Sequence, residues 1–161
     1  MLRRLVLILV FGALSAVPVA HADAVIGGVG PRVGASINPD QLVFGGQLII
    51  GEIAPDLTFD PNLEFGFGDH ATVIAANFDA HYHFVISGSS WRPYAGAGLG
   101  INFIEIDRGF GNDASDTEVG LNLIGGAGVP TSSGNRFFGE LKLGLGDIPD
   151  LKIMVGWNFK I

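Results

Sequence analysis

The chain has 161 residues, of which 48% are hydrophobic and 25 are glycine, and its 9 basic and 16 acidic residues give a net charge of −7. The acidic balance argues against nucleic acid as a partner, because a polyanion binds basic surfaces. The chain has no cysteine, so no disulfide framework can hold the fold.

The first element in chain order is an export signal over residues 1–22. Residues 1–4 are basic, residues 5–16 are apolar, and residues 19–22 end in the small-x-small pattern of a cleavage site. A spanning anchor is the alternative, but this apolar run is shorter than the ~20 residues that such a helix needs. Cleavage removes Arg3 and Arg4 and leaves a single domain over residues 23–161, with 7 basic residues against 16 acidic ones.

The mature sequence is typical of β structure. No segment reaches the ~18 consecutive apolar residues of a membrane helix, and glycines interrupt every sustained helical period. Instead, apolar and polar side chains alternate with a period of two, which is the pattern of strands. Eight runs show it, at about residues 27–37, 41–52, 57–68, 72–85, 91–104, 118–129, 140–145 and 151–161.

Short turns separate most of these runs, and the longest predicted connection covers residues 106–117. Eight antiparallel strands joined by turns predict an up-and-down meander, and closing it into a barrel removes the unpaired edges. The mature length allows about 17 residues for each strand and its connection, enough for a tilted membrane strand of ~9–11 residues and a turn. The fold class is therefore all-β, an eight-stranded antiparallel barrel.

Two kinds of closed barrel fit this pattern, and they differ in which face is outside. A soluble, lipocalin-like barrel points its apolar face inward, whereas a transmembrane barrel points it towards lipid. The polar face here carries five positive and five negative groups, and such a balance would neutralise charge in a narrow, side-chain-filled lumen. The sequence thus predicts a transmembrane barrel with a lumen charge network of Arg32, Asp60, Glu64, Asp79, Arg92, Glu118, Glu140, Lys142, Lys152 and Lys160.

Two segments resemble a known family, the small eight-stranded outer-membrane β-barrels of OmpA/OmpX or opacity-protein type. Residues 92–100 resemble its Pro-Tyr-x-Gly-x-Gly-x-Gly strand, and residues 155–161 resemble its closing strand, although the family usually ends in Phe and this chain ends in Ile161. The resemblance implies Sec export, residence in the bacterial outer membrane and insertion by the assembly machinery that reads the final strand. It assigns that signal to Val155, Trp157, Phe159 and Ile161.

Few residues carry a chemical motif. Asp79, His81 and His83 share one strand face and could bind zinc, but a hydrogen-bonded lumen cluster is the favoured interpretation. Some barrels of this type are lipid A acylases or deacylases, and the deacylases need a Ser–His pair on the outer rim. Since both histidines are predicted to face the lumen and no Gly-x-Ser-x-Gly occurs, we expect no enzyme and no cofactor.

The expected function is that of a structural outer-membrane protein, a monomer surrounded by lipid and lipopolysaccharide. A narrow, low-conductance channel is the alternative. With a periplasmic N-terminus, the connections near residues 38–40, 69–71, 106–117 and 147–150 form an outer rim. This rim is acidic, and Arg108 is its one Arg or Lys residue. Direct contact with lipopolysaccharide phosphates would be repulsive, so divalent cations are expected to bridge the phosphates to the rim carboxylates, which are Asp40, Asp69, Asp107, Asp113, Asp116, Asp147 and Asp150.

Overall fold

A computed structural model describes residues 26–69, 71–106 and 114–161, so the predicted export signal lies outside the described residues. These residues form eight β-strands: β1 Ile26–Ile37, β2 Gln41–Ala54, β3 Leu57–Phe67, β4 Ala71–His83, β5 Arg92–Ile106, β6 Ala114–Pro130, β7 Arg136–Gly146 and β8 Leu151–Lys160. Within the same ranges no helix is long and apolar enough to cross a membrane.

The strands form a closed antiparallel barrel. Each strand pairs with the next along the chain, and β1 completes the ring by pairing with β8, from Gly28 opposite Lys160 to Ile37 opposite Leu151. This last ladder is interrupted at Gly30 and Pro31, and Pro31 has no N–H to donate. The predicted eight-stranded up-and-down barrel is confirmed.

The barrel has two distinct ends. The terminal end is where β1 begins and β8 ends, and it also carries the connections at residues 55–56, 84–91 and 131–135. The far end carries the connections at residues 38–40, 68–70, 107–113 and 147–150. Several of these turns are tight: Asn38 and Asp56 have φ values of 53° and 60°, and Asn and Asp tolerate this left-handed region better than other side chains do.

Several predicted boundaries differ from the structure, most of them by one or two residues, but β6 and β7 each begin four residues earlier than predicted, at Ala114 and Arg136. The long connection predicted over residues 106–117 is wrong at both ends, because β5 and β6 continue their ladder to Ile106 opposite Ala114. Backbone pairing continues there although Ser115, Asp116 and Thr117 no longer alternate with apolar residues. At the other end of the barrel, β4 stops at His83, two residues earlier than predicted.

Polarity decides between the two kinds of barrel. The outer face exposes large apolar side chains along every strand, such as Phe44, Leu99 and Leu143, which are 49%, 43% and 53% exposed. The interior holds buried charged and amide side chains instead. A soluble ligand-binding barrel has the opposite arrangement, and soluble monomers rarely expose so much contiguous apolar surface. The lipocalin-like alternative is therefore wrong.

Candidate functional site

Glycines in β5 make room for the polar side chains of β4. Gly96, Gly98 and Gly100 lie opposite His81, Asp79 and Asn77 in the β4–β5 ladder. A Cβ atom on Gly98 would lie 2.1 Å from Oδ1 of Asp79, and one on Gly96 would lie 2.7 Å from the His81 ring. The glycine repeat of residues 92–100 therefore leaves space in the lumen, and long polar side chains occupy it.

Arg32, on β1, contacts side chains of three other strands inside the lumen. Its Nε lies 3.1 Å from Oε1 of Glu64, its Nη2 contacts Glu140, and its Nη1 donates a hydrogen bond of 2.8 Å to Gln47. Lys152 reaches the other oxygen of Glu64 at 2.8 Å. These residues are all buried, and the contacts join β1 and β8 to β3 and β7.

Lys142 extends the network towards β4. Its Nζ lies 2.6 Å from Oδ2 of Asp79 and 3.6 Å from Oε1 of Glu64. Asn62 donates to the same Asp79 oxygen at 2.7 Å. A chain of amides continues from there, as Asn77 donates to Asn62 and Asn122 donates to Asn77, each at 3.0 Å. The network thus crosses the bore and is not confined to neighbouring strands.

His81 and Tyr94 complete the network near the terminal end. His81 Nδ1 lies 2.6 Å from Oδ2 of Asp60, and the imidazole stacks on the Tyr94 ring at 4.7 Å between centroids. The Tyr94 hydroxyl donates a hydrogen bond of 2.9 Å to Glu140. We call these side chains the His81 layer. Because Glu140 also contacts Arg32, the His81 layer and the central ion pairs form one connected cluster.

The metal candidates Asp79, His81 and His83 each have a different partner. Asp79 contacts Lys142 and Asn62, His81 contacts Asp60, and His83 Nε2 lies 3.1 Å from the Thr58 hydroxyl. Among the residues that the structure describes, no three histidine or carboxylate side chains are grouped to hold a metal ion. Their geometry is that of hydrogen-bonded lumen residues.

Seven of the ten predicted network residues lie buried in the lumen: Arg32, Asp60, Glu64, Asp79, Glu140, Lys142 and Lys152. The structure does not bring the other three into this cluster. Arg92 begins β5 and Lys160 ends β8, and both are exposed at the terminal end. Glu118 is half-buried, towards the far end of β6. Alternation predicts which face a side chain occupies but not how deep along the barrel it lies.

Sequence reasoning missed Ile148, which is buried inside the barrel near its far end. This residue belongs to the connection between β7 and β8, yet it is only 6% exposed. A Cβ atom on Gly120 would lie 2.8 Å, and one on Gly144 2.9 Å, from its Cγ1. The connection therefore folds inward and places an apolar side chain over lumen glycines. The sequence signal that could have predicted this is a single isoleucine between the aspartates of the turn at residues 147–150.

Phe138 is a second interior residue that the alternation did not identify. It is 2% exposed, and its ring lies under the Arg32 guanidinium at 5.8 Å. Gly156, directly opposite in the β7–β8 ladder, provides the space, since a Cβ there would lie 2.4 Å from the ring. The signal was the pair Phe137–Phe138, because consecutive strand residues face opposite sides.

The predicted assembly strand presents its apolar side chains outward. Val155, Phe159 and Ile161 are 42%, 48% and 72% exposed, and Trp157 packs beside Phe137 with 6.4 Å between ring centroids. At the far end, the predicted acidic rim is exposed at Asp40, Asp69, Asp116, Asp147 and Asp150. Asp107, Arg108 and Asp113 lie outside the described residues.

Comparison with known proteins gives matches in structure only. Neither a family model nor a curated protein matches the chain. Among solved structures it is similar to the N-terminal β-barrel domain of Pseudomonas aeruginosa OprF, with a TM-score of 0.68 and 16% identity over 84% of this chain and 98% of that one. Neisserial surface protein A follows with a TM-score of 0.61 and 18% identity, over 84% and 94%.

A third similar structure is that of the outer membrane enzyme PagL, with a TM-score of 0.53 and 16% identity over 83% of this chain and 99% of that one. Such low identities establish the fold and leave activity open. The three structural matches agree with the closed eight-stranded ring described above. The resemblance drawn from residues 92–100 and 155–161 is thereby confirmed, and the chain has the fold of the small eight-stranded outer-membrane β-barrels.

Proposed function

We propose that the chain is an integral structural protein of the bacterial outer membrane whose lumen is closed by its own side chains. The apolar outer face supports residence in a bilayer, where a closed barrel satisfies every strand edge. The observation that carries the proposal is the buried ion-pair network, which joins β1, β3, β4, β7 and β8 across the bore.

The dimensions of the barrel support closure. An eight-stranded barrel encloses an interior just wide enough for its own side chains, unlike the water-filled lumen of 16 to 18 strands. Here Arg32, Lys142 and Phe138 occupy that interior, each 2% exposed or less. Buried, paired charges at the centre of so narrow a barrel support a lumen that is closed to solute.

Planar-bilayer recording of the refolded protein tests closure. The wild type should give no stable conductance. Lys142→Ala should introduce open events because it removes a cation that contacts Asp79 at the centre, whereas Leu143→Ala, its neighbour on the outer face, should leave the recording unchanged. Steady, well-resolved open steps from the wild type would favour the narrow channel instead.

The proposal includes an orientation and a set of partners. We infer that the terminal end faces the periplasm, after Sec export and insertion by an assembly machinery that reads Val155, Trp157, Phe159 and Ile161. The exposed acidic rim would then meet lipopolysaccharide, and divalent cations would bridge its carboxylates to phosphates. Lipopolysaccharide should co-purify with the monomeric barrel in magnesium and be released by a chelator; retention in the chelator would exclude the bridge.

We also propose that the chain is not an enzyme, although PagL shows that the fold can carry one. The support lies in the two histidines that the structure describes, since His81 is buried against Asp60 and His83 contacts Thr58 on the lumen side. Purified protein should release no acyl chains from lipopolysaccharide. Acyl release that is lost in the His83→Gln variant would overturn this part of the proposal.

A further inference from the structure

A small cavity lies in the mouth of the barrel at its terminal end. Its volume is about 210 Å³, and it is lined by Glu52, Asp56, Thr58, His83, Arg92, Pro130 and Arg136. These residues come from the ends of six consecutive strands and the turn between β2 and β3. The cavity is thus built by the barrel wall itself, on the terminal side of the His81 layer.

Opposite charges occupy opposite parts of this wall. Glu52 and Asp56 belong to β2 and the turn that follows it, whereas Arg92 and Arg136 begin β5 and β7. The two arginines converge on Gly128, which lies opposite Arg92 in the β5–β6 ladder and where a Cβ would lie 2.6 Å from Cδ of Arg136. The cavity therefore has a basic side and an acidic side.

These charges differ from the ones inside the barrel in forming no salt bridge with one another within the described chain. Arg32, Lys142 and Lys152 each lie within 4.0 Å of a buried carboxylate. No ion pair among the described residues joins Arg92 or Arg136 to Glu52 or Asp56, although all four line the same cavity. Two separated groups of opposite charge are thus available to a molecule that carries both signs.

We propose that this cavity is a binding site for a small zwitterion with a free amine and a free carboxylate, such as a short peptide. The carboxylate is held by Arg92 and Arg136, whose guanidinium groups donate paired hydrogen bonds to carboxylate oxygens. The amine is held by Glu52 and Asp56. A dipeptide separates its two charged groups by at most about 7 Å, and its size suits a cavity smaller than the ~300–1,000 Å³ of drug-sized sites.

To test the proposal, each of three dipeptide probes is titrated into the refolded full-length protein in detergent, and binding is monitored by NMR. The first is alanyl-alanine, which carries both charges. N-acetyl-alanyl-alanine lacks the amine charge, and alanyl-alanine amide lacks the carboxylate. Alanyl-alanine should bind saturably, and each blocked probe should bind about tenfold more weakly, because a charged hydrogen-bonding group has been removed.

Matched variants assign each end of the probe. Arg136→Gln and, as a second variant, Arg92→Gln should abolish the preference for the free carboxylate, and Glu52→Gln should abolish the preference for the free amine. Lys160→Gln changes an exposed charge at the same end that does not line the cavity, and it should leave all three affinities unchanged. Equal binding of the three probes, no saturable binding of alanyl-alanine, or an equal loss in Lys160→Gln would overturn the site.

Discussion

At the scale of single residues, the glycines that face the lumen matter as much as its polar side chains, because they leave the space that those side chains occupy. Gly98 lies opposite Asp79, whose carboxylate contacts Lys142 and Asn62. Gly139, in contrast, has open space around the position of a Cβ atom, with nothing within 4 Å. Two strand glycines thus have different physical roles, and they form a natural pair for substitution.

Gly98→Ala should lower the free energy of unfolding by about 1–3 kcal/mol, as overpacking does in well-filled interiors. The new methyl group would lie 2.1 Å from the Asp79 carboxylate and 2.7 Å from the Phe78 carbonyl oxygen, so both the side chain and the backbone must shift. Gly139→Ala should be neutral or add about 0.5–1 kcal/mol, since alanine loses less backbone entropy on folding. Urea unfolding in detergent measures both, and equal effects would mean that lumen packing is loose.

Glu140 is the carboxylate that connects the layers of the lumen, since it contacts Arg32 and accepts a hydrogen bond from Tyr94. Glu140→Ala should lower the free energy of unfolding by about 3 kcal/mol or more, because removing one partner leaves buried charge uncompensated. Glu105→Ala, an exposed carboxylate near the far end, should change stability by less than about 1 kcal/mol. Heat-modified gel mobility or urea unfolding measures the stability of both variants. Equal losses of stability would show that the buried network contributes no more than an exposed charge does.

At the scale of elements, alternation alone was enough to predict the eight strands and the polarity of both faces. The period of two is imposed by strand geometry, so it survives in one sequence without any knowledge of partners. The ion pairs could not be predicted, because the contact of Lys142 with Asp79 depends on how strands are staggered around the ring. Ile148 was missed for a related reason, since a connection that folds inward has no period.

The two faces of β5 allow a direct test of the membrane assignment. Leu99 is the central residue of this strand and is 43% exposed on the outer face, whereas Asn102 is 1% exposed on the lumen face. Leu99→Arg should cost about 2–4 kcal/mol, because a charge would enter the middle of the hydrocarbon layer. Asn102→Ser should cost far less. If the refolded barrel tolerated the arginine and lost stability with the serine, the outer face would not be in hydrocarbon.

At the scale of the whole molecule, the chain begins and ends at the terminal end of the barrel, and the proposed topology has the far end facing outside the cell. The chain has no cysteine, so single cysteines can report exposure without background. Asp69→Cys lies in a far-end connection and Ser132→Cys in a terminal-end one, and both positions are exposed. A membrane-impermeant thiol reagent should label the first in intact cells and the second only after the outer membrane is permeabilised. The reverse pattern would invert the proposed topology.

The β1–β8 ladder makes the barrel a ring in which no strand is structurally first or last. Ile26 and Ile161 lie at the same end, so a short linker can join them while the chain is opened between Gly88 and Ser89. This circular permutant retains all eight ladders but ends with β4. It should refold in detergent with near-native stability and yet insert poorly in cells, if insertion requires β8 at the C-terminus. Efficient insertion, measured by surface labelling, would show that the ring alone is recognised.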